Sequence, residues 1–203
     1  GVRALCDEYG IIFIADEVMA GFGRTGKWFG HQHADVVPDL ITFAKGVNSG
    51  YVPLGGVVIS DAIAGHFDER AYPGGLTYSG HPLACAAGVE TITTMKDEGI
   101  VDNARRIGED VLGPGLAKLA ETHDIVGDAR GVGVFWALEL VEDAETKKPA
   151  TEAAATVAAA AKKNGLLVIA AGNRLHIVPP CTVSDEEIST ALSILDEALG
   201  SLS

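Results

Sequence analysis

The first sixty residues carry three short apolar runs, and each stops abruptly. Ile11 to Ala15 (IIFIA) ends at Asp16 and Glu17, Leu40 to Ala44 (LITFA) ends at Lys45 and Gly46, and Leu54 to Ser60 (LGGVVIS) supplies the third. Continuous apolar runs of this length, without alternation, are the pattern of strands buried on both faces. With helical stretches between them they predict an α/β sheet rather than a sandwich. Ligands of such sheets lie just beyond the carboxyl ends of the strands. Asp16 and Lys45 both occupy that kind of position.

After these runs comes a loop rich in Gly, Thr and Ser, Pro73 to Gly80 (PGGLTYSG). His81 and Pro82 then open a predicted helix reaching about Lys96, because Pro in a first helical turn has no N–H to leave unpaired. From about residue 100 the pattern changes to that of an α+β layer. A helix is expected over Val101 to Glu121, a strand over Gly131 to Leu140 (GVGVFWALEL) and a second helix over Thr151 to Lys163. Two strands follow, Leu166 to Ala170 and Leu175 to Val178, the latter stopped by Pro179 and Pro180. Ser184, with Glu187 three positions on, forms a capping box that opens a last helix to about Leu199. The expected division is therefore 1–99 for one domain and 100–203 for a second, α+β one.

Composition narrows the function classes. The chain has 203 residues, 47% of them hydrophobic, and a formal net charge of -13. A nucleic-acid partner is excluded on this balance, because phosphate-backbone binding needs clustered Lys and Arg. Cys6, Cys85 and Cys181 are odd in number, far apart and not in C-x-x-C pairs, so they suggest neither a disulfide framework nor a zinc site, and a reducing, cytoplasmic setting is expected. The longest Ala-rich apolar stretch, Ala153 to Ala161, is far shorter than the roughly 20 residues of a membrane span. No membrane association is expected, and the opening GVRALCDEYG has the texture of a helix feeding a buried strand in mid-domain.

Gly21 to Trp28 (GFGRTGKW) fits G-x-G-x-x-G and the first seven residues of a P-loop. A dinucleotide fingerprint must open a helix and be followed by a strand ending in an acid. Here the sequence continues with Gly30 and Pro38, and the next apolar run ends in Lys45. Trp28 also stands where a P-loop needs Ser or Thr. The segment is read as a tight turn away from Asp16 that brings Arg24 near the strand ends.

Lys45, at the end of an apolar strand, is expected to be desolvated, which makes a neutral amine available as a nucleophile. Asp16, at the end of another, needs a cationic or donor partner. An aspartate for a pyridine nitrogen and a lysine for an aldehyde are the two protein groups that pyridoxal phosphate chemistry requires. The text around them decides the reading. Phe13 to Ser60, with Asp16 and Lys45 29 positions apart, and Gly75 to Gly88 (GLTYSGHPLACAAG) resemble the class III branch of the fold type I pyridoxal-phosphate aminotransferases.

The resemblance covers nearly the whole chain. It implies an α/β fold: the C-terminal part of the large cofactor-binding domain of a fold type I transferase, followed by a small α+β C-terminal domain. It implies that Asp16 binds the ring nitrogen of pyridoxal 5'-phosphate, that Val18 packs on one ring face, and that Lys45 forms the internal aldimine and transfers protons. Thr77 would reach the cofactor phosphate of a neighbouring subunit, which implies a homodimer or higher oligomer with shared active sites. Glu17 and Arg24 match the motif and are as well suited to an ion pair fixing the turn as to substrate contact. His31, His33 and Trp28 are read as structural.

Two departures bear on substrate. Position 19 is Met, where many members acting on amino acids carry Gln, and an apolar residue there resembles the ω-amine, taurine and β-alanine:pyruvate branch. His176 stands where the amino-acid branch places a carboxylate-binding Arg. Arg174, two residues earlier on the same strand face, is the candidate for a carboxylate or sulfonate. The expected activity is amino transfer from an ω-amine or amino acid to a keto acid, pyruvate above all. A decarboxylase or aminomutase of the same family, or a noncatalytic remnant, are the alternatives. The family's N-terminal half supplies a Gly/Ser phosphate loop and a stacking aromatic that these 203 residues do not contain, so the chain by itself is expected to bind the cofactor weakly and turn over poorly.

Overall fold

Residues 1–202 are described by a computed structural model, which divides into two compact units, Gly1–Val101 and Asp102–Ser203. In the first, helix α1 (Val2–Tyr9) ends at Gly10 in the left-handed conformation and leads to strand β1 (Ile14–Asp16). Strand β2 (Leu40–Phe43) pairs with β1 in parallel and strand β3 (Gly56–Ile59) pairs with β2 antiparallel, giving the order β1-β2-β3. Helix α2 (Asp61–Gly65) and the long helix α3 (Pro82–Asp97) follow. Pro82 sits in the first turn of α3, as its missing N–H favours.

Asp39 fastens this unit. Its carboxylate accepts from Arg3 Nη1 at 2.8 Å and from the Phe13 backbone N–H at 2.7 Å, joining α1 to the starts of β1 and β2. The three strands do not show the two-sided burial that their apolar runs predict. Ile14 is 54% exposed and Val58 50%, and Ile11, Ile12, Val57 and Ile59 are exposed as well. The connections explain part of this. Between β1 and β2, and again between β2 and β3, the chain forms only short 3-10 turns, Gly30–Ala34 and Lys45–Asn48, and no crossover helix covers the sheet. What core there is gathers Phe22, Val47 and Met95, with Phe29, Phe43 and Leu54 packed against it.

The division between the units falls within helix α4 (Ile100–Arg106). The second unit continues with a π-helical segment, Ile107–Leu112, and helix α5 (Gly113–Thr122). Strands β4 (Val126–Val132) and β5 (Phe135–Leu140) come next, then helix α6 (Thr151–Lys163), strands β6 (Ile169–Ala171) and β7 (Arg174–Ile177), and helix α7 (Asp185–Gly200). The sheet is antiparallel throughout, in the order β4-β5-β7-β6. The run GVGVFWALEL, expected as one strand, is the end of β4, a tight turn with Gly133 at φ 56°, and β5. Period-2 alternation then sorts the sheet: Leu138, Leu140, Leu175 and Ile177 enter a core shared with Leu116 and Leu195 of the helices. Ser184 caps α7, accepting from the Glu187 backbone N–H while the Glu187 carboxylate accepts from the Ser184 N–H at 2.8 Å.

Several carboxylates are held below their ordinary range by donors in the folded chain. Arg3 does this to Asp39, Arg130 and then Asn173 to Glu139, and Arg106 to Asp185. A carboxyl with a depressed folded pKa contributes stability above its unfolded value and loses it as pH falls through the folded value. The midpoint of urea unfolding should therefore be level at neutral pH and decline below about pH 4. A midpoint that rose on acidification would contradict these pairings.

Candidate active site

Asp16 is the last residue of β1, and the parallel register places its Cα opposite that of Thr42 on β2. Lys45 follows three residues later, as the first residue of the 3-10 turn that ends β2. The two groups therefore stand at the same carboxyl ends of adjacent parallel strands. The Asp16 carboxylate accepts two hydrogen bonds, both on Oδ1: from the Val18 N–H at 3.1 Å and from the Thr42 hydroxyl at 3.2 Å. Oδ2 accepts none among the described residues. Lys45 has φ 41°, a left-handed conformation uncommon for a residue with a side chain.

Neither group is buried. Asp16 and Lys45 are exposed and Val18 is half-buried, so the desolvation expected of Lys45 is not provided by this chain. A strand-end residue beyond a sheet whose own faces are open has little around it to displace water. Thr77 is exposed on the loop over 73–80, and no hydrogen bond joins it to Asp16 or Lys45. Its neighbours Leu76, Tyr78 and His81 line a cavity of about 700 Å³ with Ala44, Pro53 and Leu54, which brings that loop over the residue preceding Lys45.

The GFGRTG segment is a turn with no helix behind it. Phe22, Gly23 and Gly26 have φ of 57°, 86° and 80°, and the Phe22 N–H donates to Trp28 O at 2.7 Å. Its principal effect is to bury Phe22, edge-on to Phe29 and Phe43, directly beneath Gly46. A Cβ on Gly46 would come within 2.8 Å of the Phe22 Cβ, so the residue after Lys45 must be very small. Sequence reasoning assigned the turn to Arg24, which is half-buried. It gave Glu17 an ion pair fixing the turn or a substrate contact, and did not foresee its ties to Gly30 and His31. That carboxylate, 3% exposed, accepts from the Gly30 and His31 N–H groups at 2.8 Å each, and His31 Nδ1 lies 3.0 Å from it. His31 stacks on Phe29, and His33 Nε2 lies 3.0 Å from Thr25 O, so both histidines are tied to the turn.

In the second unit, Arg174 is exposed on β7 opposite Glu139 of β5. It does not line the cavity on that sheet face. That cavity, about 290 Å³, is bounded by Arg130, Phe135, Trp136, Ala137 and His176. Arg130 lies across the sheet from Ala137, and is paired with Asp128 at 2.7 Å and Glu139 at 2.5 Å. The His176 Nε2 is buried without a hydrogen-bond partner among the described residues. Arg130 is the polar residue that sequence reasoning missed. The only signal was its place in ARGVG, two strands away from His176, and cross-strand neighbours are not visible in a linear pattern. Among the described residues no group of His, Cys, Asp and Glu is placed to hold a metal ion, and no helix is long and apolar enough to cross a membrane.

A family model described as aminotransferase class-III matches residues 1–199. The 4-aminobutyrate aminotransferase of Escherichia coli K12 is 40% identical over 97% of this chain and 46% of its own length. The putrescine–pyruvate aminotransferase of Pseudomonas aeruginosa is 38% identical over 98% of this chain and 44% of its own. A solved structure of taurine:2-oxoglutarate aminotransferase from Bifidobacterium kashiwanohense, in complex with PLP and glutamate, matches with a TM-score of 0.95 and 42% identity, over 99% of this chain and 46% of that one. The chain thus spans about half the length of the relatives it resembles.

Proposed function

The chain belongs to the aminotransferase class-III family, and we propose that it is the carboxyl-terminal part of a longer transaminase that moves an amino group from an ω-amine or ω-amino acid to a keto acid. The observation that carries this is the pairing at the strand ends: an aspartate with one anchored and one open carboxylate oxygen beside a lysine that the backbone turns away from the strand. These residues fit pyridoxal 5'-phosphate. The open Oδ2 of Asp16 is an acceptor for a protonated ring nitrogen, and an exposed Nζ can reach an aldehyde carbon. When bound, the cofactor supplies the carbonyl that takes up the amino group and a ring that stores the electron pair released at the substrate carbon.

Asp16 would hold the ring nitrogen in its charged form. Val18, two residues on, would pack against the ring. Lys45 Nζ would hold the cofactor covalently between turnovers and carry the proton from one substrate carbon to the next position that needs it. Residues 1–99 would then be the remainder of the cofactor-binding domain and 100–203 the small domain. Thr77 is assigned to the phosphate of a neighbouring subunit, which makes the working form a homodimer or larger. Arg174 is assigned to the substrate's carboxylate or sulfonate, on the strand face it shares with His176. A cytoplasmic location completes the reading.

Met19, an apolar residue on the loop after β1, supports the ω-amine branch, and pyruvate is the acceptor proposed. A donor panel containing putrescine, taurine and 5-aminovalerate, run with pyruvate and with 2-oxoglutarate, tests it in the full-length protein. Alanine should form from pyruvate with at least one of these donors. Turnover confined to 2-oxoglutarate would contradict the acceptor assignment.

A further inference from the structure

We propose that Thr42 is a positioning residue for the cofactor: its hydroxyl anchors one oxygen of Asp16 so that the other is presented to the ring nitrogen. The inference rests on the reading of Asp16 given above. Parallel pairing makes Asp16 and Thr42 register partners, and register partners project to the same face of the sheet. Their side chains meet there, with Thr42 Oγ1 donating to Asp16 Oδ1 at 3.2 Å. The Val18 N–H donates to the same oxygen at 3.1 Å.

Two donors from different directions fix a carboxylate that would otherwise rotate about its terminal torsion, which is broad and roughly two-fold. Val18 alone leaves it one pivot. The Thr42 donor, arriving from the neighbouring strand, removes that freedom and leaves only Oδ2 to accept. The arrangement needs no burial to work, since Asp16 is exposed and its orientation is set by the sheet. Thr is suited to both tasks, because its β-branched body favours the strand and its hydroxyl supplies the donor. Val in the same place would keep the shape and lose the bond.

The test uses the full-length protein loaded with pyridoxal phosphate labelled with ¹⁵N in the ring. Cofactor affinity is measured by equilibrium dialysis, and the ring nitrogen by its ¹⁵N resonance, neither of which depends on turnover. Thr42→Val should weaken cofactor binding about tenfold, the effect of one hydrogen bond to a charged group, and move the resonance toward that of an unprotonated ring. Thr42→Ala should do the same, which protects the result against a folding defect peculiar to Val. Thr42→Ser, which keeps the hydroxyl, should restore the resonance. Asp16→Asn separates the two readings. If Asp16→Asn leaves affinity and resonance unchanged, the assignment of Asp16 itself fails. If Asp16→Asn abolishes the signature while Thr42→Val and Thr42→Ala match the unsubstituted protein, the positioning role is overturned. A loss of affinity in the Thr42 variants without a shift of the resonance also overturns it, because a purely structural defect would do that.

Discussion

Replacing Lys45 with Ala should lower kcat/KM of the full-length enzyme by at least about a thousandfold, within the range that a positioned proton-transfer group contributes, while leaving the fold in place. The structural half of this expectation comes from the surroundings of Lys45. Its side chain is exposed and makes no hydrogen bond among the described residues, so its removal leaves no buried group unpaired. Its φ of 41° persists with Ala at little change, because the strain belongs to the Cβ and both residues have one. Thermal unfolding of the variant should therefore track the parent while activity collapses. Lys45→Arg separates the charge from the chemistry. Arg keeps the positive charge but is never deprotonated in proteins, so it can serve neither as nucleophile nor as base, and it should be as inactive as Ala. Retention of more than about a tenth of the activity by either variant, outside the range expected for a proton-transfer group, would mean that the strand-end lysine is not the reacting amine.

The second large effect is on stability. Gly108 lies in the π-helical turn between α4 and α5, and a Cβ there would stand 2.0 Å from Gly133 O. The obstacle is backbone, the tip of the β4–β5 hairpin, and it has no room to retreat. Gly133 holds φ 56°, Trp136 Nε1 donates to Gly133 O at 2.8 Å, and Ile107 and Leu112 on either side are fully buried. Relieving the contact would mean withdrawing the hairpin from the helix and opening the main core of this unit. Gly108→Ala should cost on the order of 3 kcal/mol, the upper end of the usual range for overpacking, as measured by urea unfolding. Gly75→Ala is the matched control, since a Cβ there meets nothing within 4 Å. It should stay within about 0.5 kcal/mol of the parent. A Gly108→Ala protein of parental stability would show that the hairpin does not pack on the helix this closely.

What could be read from the chain follows from where the deciding contacts lie. The last helix and its cap were legible because Ser184 and Glu187 are three residues apart and satisfy each other. Helix α6 was legible because its buried positions, Ala154, Val157 and Ala161, recur at helical spacing on one face. The hairpin at Gly133 was not, because an apolar GVGVFW contains no polar turn residue and only the positive φ of Gly133 marks the bend. The apolar runs of β1 and β3 were read as buried on both faces. Their composition asks for cover that the 3-10 turns of this chain do not supply.

The site divides in the same way. Asp16 and Lys45 stood out as candidates because each ends an apolar run and the text around them resembles one family, and the parallel pairing of β1 with β2 puts both at the same end of the sheet. The hydroxyl that anchors Asp16, the hidden ties of Glu17 to Gly30 and His31, and the meeting of Arg130 with His176 around one cavity all depend on pairing between distant segments. Linear spacing carries no trace of such pairings.

The central claim is that Lys45 is the amine that binds pyridoxal phosphate. Borohydride reduction of the full-length protein in the presence of the cofactor, followed by peptide mapping, addresses it directly. The mass of the reduced cofactor should appear on the peptide containing Lys45 and on no other; a label on a different lysine, or none at all, would contradict the assignment.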